Sequence, residues 1–187
     1  MLPIFLKTAR LLKARYTDIV FICPTPKVVE KSYKELVSKN NLKTVHISAE
    51  SVSSDQFEKL KKSLFACSDL ALVTSGTVVL ELAKASVPMI VGYRTGLLTE
   101  IIYRLFIKVP SASLVNLITK RKDVPEFLFN RCNAKNFYKE AIALLAKKKY
   151  AESQLISSKQ AIRELGYGSI DPSVRAAKSI KKFLKSN

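Results

Sequence analysis

The sequence predicts an α/β protein built on a doubly wound parallel sheet, and three observations predict it. Short apolar runs rich in β-branched and aromatic residues alternate with longer stretches of helical periodicity. The alternation recurs at roughly 20–25-residue intervals, the spacing of strands joined by crossover helices. Hydrophobic residues make up 48% of the chain against 25% charged, and 187 residues suffice for one core. No internal linker divides the chain.

The elements follow in order. Residues 2–15 read as an amphipathic helix, with Leu2, Phe5, Leu6, Ala9 and Leu12 at helical spacing and Lys7, Arg10, Lys13 and Arg15 on other faces. "DIVFICP" (18–24) reads as a buried strand closed by its proline. Helix 27–40, strand 43–48 and helix 53–68 come next, the last with Ser54 or Asp55 as its cap. Strand 70–73, helix 78–85 and strand 89–93 follow, then an apolar helical stretch at 97–110. "SASLVNLI" is a short run ahead of a charged turn, and "NAKNFYKEAIALLAKKK" is helical. The closing helix, 171–185, opens on Asp171 as cap with Pro172 at its first position, and aligns Val174, Ala177, Ile180 and Leu184. One feature is out of pattern: the chain opens on a helix, whereas such folds open on a strand that becomes central in the sheet. A strand is therefore expected ahead of Met1.

Charge is the outlying quantity. There are 32 basic and 15 acidic residues, a formal +17, with a pI near 9.9. Residues 1–119 hold 16 basic and 9 acidic groups, and 120–187 hold 16 and 6, so the excess is spread along the chain. Such a surface favours anionic partners without choosing among phospholipid, nucleic acid and phosphorylated substrates. Aromatic residues are 9% and show no stacking pattern among the lysines, which argues against nucleic acid. Lys7 and Arg10 interrupt the amino end too early for a signal peptide, and no run of 18 apolar residues occurs. The expected location is cytoplasmic. Cys23, Cys67 and Cys132 are odd in number and far apart, and read as buried free thiols. The single histidine, His46, is placed at a strand end without neighbouring ligand types.

The stretch "SDLALVTSGTVVLELAKASVPMIVGYR" (68–94) carries the candidate chemistry. Ser75-Gly76-Thr77 follows a strand and opens a helix, where ligands of open parallel sheets bind and where backbone N–H groups favour an anion. Thr77 and Glu81 are four apart and share a helical face. A diphosphate at the turn and a carboxylate on the ribose hydroxyls would suit a nucleotide. A plain helix start and a solvated glutamate fit the same residues.

"MLPIFLKTARLL", the 68–94 block, "SLVNLI" and "VPEFL", in this order, resemble the carboxyl-terminal half of the lipid-A-disaccharide synthases, glycosyltransferase family 19. The resemblance implies a GT-B enzyme whose second, Rossmann-like half binds the UDP-sugar. It implies transfer of 2,3-diacylglucosamine from UDP to 2,3-diacylglucosamine 1-phosphate (lipid X), giving the β-1,6 lipid A disaccharide 1-phosphate and UDP. It implies no metal and no cofactor, and work at the cytoplasmic face of the inner membrane on an anionic surface. Residues 1–187 then form one donor-binding domain with carboxyl-terminal helices, and the amino-terminal acceptor domain is absent. Carried over by position, Ser75, Gly76 and Thr77 meet the diphosphate, Glu81 the ribose, and Tyr93, Arg94, Asn116 and Arg121 line the UDP-sugar site. The catalytic acidic residue is expected in the absent half.

The departures from the family are a missing Gly-Ser-Arg turn and first strand, Val115 in place of a proline, and Lys120 and Lys122 where a glycine and an acidic residue are expected. A split gene product completed by a separate chain and a truncated remnant both fit. Either leaves a sheet without a central strand, with unpaired edges and low stability in isolation. A non-catalytic basic module that holds anionic lipid or nucleic acid is the alternative function.

Overall fold

The structure, a computed structural model, describes residues 1–25, 27, 30–38, 42, 44–95, 111–168 and 172–186. The helix expected at 97–110 and the Asp171 cap lie outside the described residues. Within them the protein is mixed α/β, and its strands pair in parallel.

Helix α1 (Leu2–Arg15) takes Pro3 in its first turn, where a missing N–H costs nothing, and buries Leu6, Ala9 and Leu12. Thr8 is buried on the same helix and donates its hydroxyl to the Ile4 carbonyl at 2.9 Å. Strand β1 (Phe21–Thr25) begins later than the sequence suggests, and Pro24 lies inside it rather than closing it. Proline has no N–H to give to a ladder, so it is tolerated where the strand has a neighbour on one side only. Helix α2 (Glu30–Ser38) and strand β2 (Thr44–Ser48) follow. His46 lies mid-strand, not at a strand end, and stacks on Tyr33 with ring centroids 4.6 Å apart. Helix α3 (Ser54–Ala66) is capped by Ser53, one residue ahead of the expected caps. The Ser53 hydroxyl accepts from the Gln56 N–H, while the Gln56 side chain accepts from the Ser53 N–H, a reciprocal box.

The 68–94 block forms strand β3 (Ala71–Thr74), helix α4 (Val78–Lys84) and strand β4 (Met89–Tyr93). Gly92 permits a close approach: a Cβ there would come within 2.5 Å of the Phe137 ring and 2.7 Å of the Met1 methyl. Helix α5 (Leu114–Thr119) and strand β5 (Glu126–Leu128) come next, with a 3-10 turn at Phe129–Arg131. Helices α6 (Ala134–Ala146), α7 (Lys148–Glu164) and α8 (Pro172–Ser186) complete the chain. The Asn133 side chain caps α6 by accepting from the Asn136 N–H at 3.0 Å. Strand β5 and helix α7 have no counterpart among the expected elements. The first is only three residues long. The second turns Gln154, Ser157 and Ser158 inward with Ala161, so its buried face lacks an apolar signature.

The strands form two sheets, β1-β2 and β3-β4-β5. The three-stranded sheet is covered on both sides. Val73, Val79, Leu82, Met89, Val115 and Ala161 join it to α4, α5 and α7. On the other face Leu12, Ile90, Phe127, Phe137 and Leu144 join it to α1 and α6. This is the doubly wound arrangement, interrupted between β1 and β3. Of the cysteines, all free, Cys132 is buried and Cys23 half-buried, while Cys67 is exposed, against expectation. Among the described residues no helix is long and apolar enough to cross a membrane.

Candidate functional site

The site grows from the carboxyl ends of β3 and β4. Where β3 stops, Ser75 still donates its N–H to the Gly92 carbonyl of β4, and its hydroxyl reaches across to the Ala112 carbonyl at 2.6 Å. Gly76 then takes φ +154°, a conformation L side chains rarely adopt, and nothing stands within 4 Å of where its Cβ would be. The turn is therefore glycine by backbone conformation, with open space above it. Thr77 is the N-cap of α4 and exposed, and its hydroxyl makes no capping bond. In the first turn of α4 the Val79 and Leu80 N–H groups already donate to the Gly76 and Thr77 carbonyls, at 3.2 and 2.9 Å.

Ala112 belongs to a buried polar knot that the sequence reading did not isolate. The carboxylate of Glu126 accepts from the Ala112 N–H at 2.7 Å, from the Ser111 hydroxyl and from the Asn116 amide. Asn116 also donates to the Val124 carbonyl at 2.8 Å and accepts from the Val124 N–H at 3.0 Å. Its amide is thus spent in clasping α5 to the turn ahead of β5. Asn116 shapes the site through Glu126 and Val124, which lie in the "VPEFL" stretch of the resemblance but were given no role there. Arg121 stands on the clasped turn, with Nε 2.7 Å from the Asp123 carboxylate, which also accepts from the Ser157 hydroxyl of α7.

Tyr93 ends β4 and packs edge-on against Phe129, ring centroids 6.4 Å apart at 82°. Phe129 holds φ +51°, an outlier for a large side chain. It shares the wall of a cleft of about 420 Å³ with Asn116, Glu126, Lys122 and Arg131. Arg94 follows Tyr93 at the surface and is exposed. Burial raises the Cys132 thiol above its ordinary range, partly offset by the nearby amino terminus, by Arg94 and by the Tyr93 backbone.

Ser75 and Asn116 thus meet in one network through Ala112 and Glu126, Tyr93 lies at the carboxyl end of β4 against Phe129, and Arg121 stands apart on the turn that leads into the amino end of β5. Glu81 is oriented elsewhere. Its carboxylate, 41% exposed, pairs with Lys61 of α3 at 2.8 Å, and Lys61 also meets Glu58 at 2.9 Å. Burial pulls the Lys61 ammonium down, but the two carboxylates outweigh it and hold its pKa above the ordinary lysine value.

The family of lipid-A-disaccharide synthetases matches residues 1–180. The chain belongs to that family. It is 32% identical to the lipid-A-disaccharide synthase of Rhodospirillum centenum over 96% of its own length and 43% of the relative's. Identity to the Rickettsia bellii enzyme of that name is 40% over 69% of this chain and 34% of the relative's. The Gluconobacter oxydans synthase is 32% identical over 98% of this chain and 42% of its own length. The chain therefore spans less than half the length of these lipid-A-disaccharide synthases.

Proposed function

We propose that residues 1–187 form the UDP-sugar domain of a lipid A disaccharide synthase. The reading rests above all on the Ser75-Gly76-Thr77 turn, open above Gly76 at the carboxyl end of β3, in a member of this family. The donor diphosphate meets the turn amides and the Thr77 hydroxyl, in the field of the α4 N-terminus. Glu81 exchanges Lys61 for the two ribose hydroxyls. Arg94 offsets the charge that grows on UDP as the glycosidic bond breaks. Tyr93 backs Phe129 in the wall of the cleft, and Asn116 holds it open by clasping Val124 and Glu126. The sugar transferred is 2,3-diacylglucosamine, the acceptor lipid X, and the site of work the inner face of an anionic membrane.

Calorimetric titration of UDP into the chain and into Glu81→Ala, at two salt concentrations, tests this. The expected result is saturable binding that the substitution weakens by roughly tenfold, the worth of a charged hydrogen bond. Binding indifferent to Glu81→Ala but steeply reduced by salt favours instead the non-catalytic basic module.

A further inference from the structure

Glu126 opens β5, across β4 from the Ser75-Gly76-Thr77 turn, yet a continuous run of hydrogen bonds joins the two. The strand order is β3-β4-β5, so residues 111–113, bonded both to the end of β3 and to the start of β5, pass across β4. Ala112 carries the link. Its N–H donates to Glu126 Oε2 at 2.7 Å, and its carbonyl accepts from Ser75 Oγ at 2.6 Å. Both ends of this relay are rooted on neighbouring residues of β4. The Val91 N–H donates to the Pro125 carbonyl at 2.9 Å, and the Ser75 N–H donates to the Gly92 carbonyl at 3.4 Å. Ser75 is therefore held twice, its backbone by the sheet and its side chain by Ala112, and the chain leaves it through Gly76 at φ +154°.

The donors around Glu126 call for a carboxylate. The Ala112 N–H reaches Oε2, while the Ser111 hydroxyl and the Asn116 amide both reach Oε1. Asn116 is not free to turn its amide round, because Oδ1 accepts from the Val124 N–H at 3.0 Å and Nδ2 donates to the Val124 carbonyl at 2.8 Å. A carboxylate offers an acceptor at each terminal atom and meets all three donors. Glutamine has the same size but only one acceptor, so its NH2 confronts either the Ala112 N–H or the Asn116 amide. The Ser113 side chain adds no second anchor for the segment: it is buried, and its hydroxyl has no partner among the described residues.

We infer that Glu126 is a positioning residue of the donor site, fixing the Ser75-Gly76-Thr77 turn through Ala112. Glu126 touches no substrate in this role. It holds the Ala112 peptide, the peptide holds the Ser75 hydroxyl, and Ser75 sets where Gly76 and Thr77 present their backbone. A binding turn keeps its geometry only when the groups behind it are themselves fixed. That the turn serves a diphosphate rests on the proposed function; the relay from Glu126 to Ser75 does not.

The test compares Glu126→Gln, Ser75→Ala and the double variant with the unmodified chain, by hydrogen exchange and by titration with UDP and with uridine. In Glu126→Gln the Ser75 amide is expected to exchange roughly tenfold faster. The Ala71 amide, bonded to the Pro88 carbonyl at 2.8 Å at the other end of the β3–β4 ladder, keeps its rate. UDP affinity falls by about tenfold, the scale of a lost hydrogen bond to a charged group, while uridine, which has no diphosphate, binds as before. Adding Glu126→Gln to Ser75→Ala changes neither quantity further, because the link is already cut. Equal acceleration at Ser75 and Ala71 means that Glu126 only supports the fold, and overturns the inference. So does an unchanged rate at Ser75, UDP bound by Glu126→Gln as by the unmodified chain, or a full second loss in the double variant. An unmodified chain that binds no UDP, with the Ser75 exchange pattern intact, refutes the proposed function and leaves the relay standing.

Discussion

Lys120 ends α5 in the left-handed conformation, φ +55° and ψ +25°, the region where a Cβ collides with its own carbonyl. Family resemblance led to a glycine being expected here, and the backbone supplies the reason. Ser86 repeats the situation after α4: its N–H donates to Ala83 and that of Val87 to Leu82, a Schellman ending normally built on glycine. At the end of α7 the same pair of bonds surrounds Gly166, where no side chain opposes the turn. Replacing Lys120→Gly is expected to raise stability by about 1 kcal/mol, since relief of left-handed strain exceeds the added freedom of the unfolded glycine. A urea titration reads this as a higher midpoint at unchanged slope; a lower midpoint would mean that the lysine side chain supports the clasped turn. Gly76 differs from these positions in that it caps no helix end, and its open surroundings are what single it out as a ligand approach.

At the scale of elements, α7 is the piece that sequence patterning did not reveal, and its most consequential residue is polar. Gln154 is fully buried, and its amide imitates a strand: Nε2 donates to the Met89 carbonyl at 3.0 Å, and Oε1 accepts from the Met89 N–H. The start of β4 is thereby satisfied by a side chain 65 residues away. In Gln154→Met the volume is kept but both Met89 groups lose their partner in the interior, which should cost about 3 kcal/mol in chemical denaturation. A loss below about 1 kcal/mol would show that water replaces the amide. Other elements were legible because their buried residues are apolar: α1 and β4 appear where periodicity puts them, and α6 within a few residues. Strand β5 was not, because three residues carry no period. The Asn116–Glu126 clasp was not, because its members are ten residues apart and meet only when α5 packs beside β5.

For the whole molecule, the formal charge of +17 finds a concrete outlet in α8. Ile180, Phe183 and Leu184 are more than 60% exposed on this helix, interleaved with Lys178, Lys181, Lys182 and Lys185. An apolar stripe with lysines beside it is suited to lie in the head-group region of an anionic bilayer. The chain is expected to sediment with vesicles containing about one-third anionic lipid, and less so as salt screens the attraction. The double change Phe183→Ser and Leu184→Ser should reduce the bound fraction severalfold by removing the buried apolar area. Binding that survives the change would assign the attraction to charge spread over the surface.

The sequence by itself determined the α/β class, most element positions, the Ser75-Gly76-Thr77 turn and the family, because these depend on local periodicity, on glycine and on residue identity. The tertiary structure alone decided that Glu81 pairs with Lys61, that Asn116 is spent on Val124 and Glu126, and that Gln154 completes β4. Hydrogen bonds and ion pairs between distant residues depend on which helix faces which strand, and that information enters only when the layers pack.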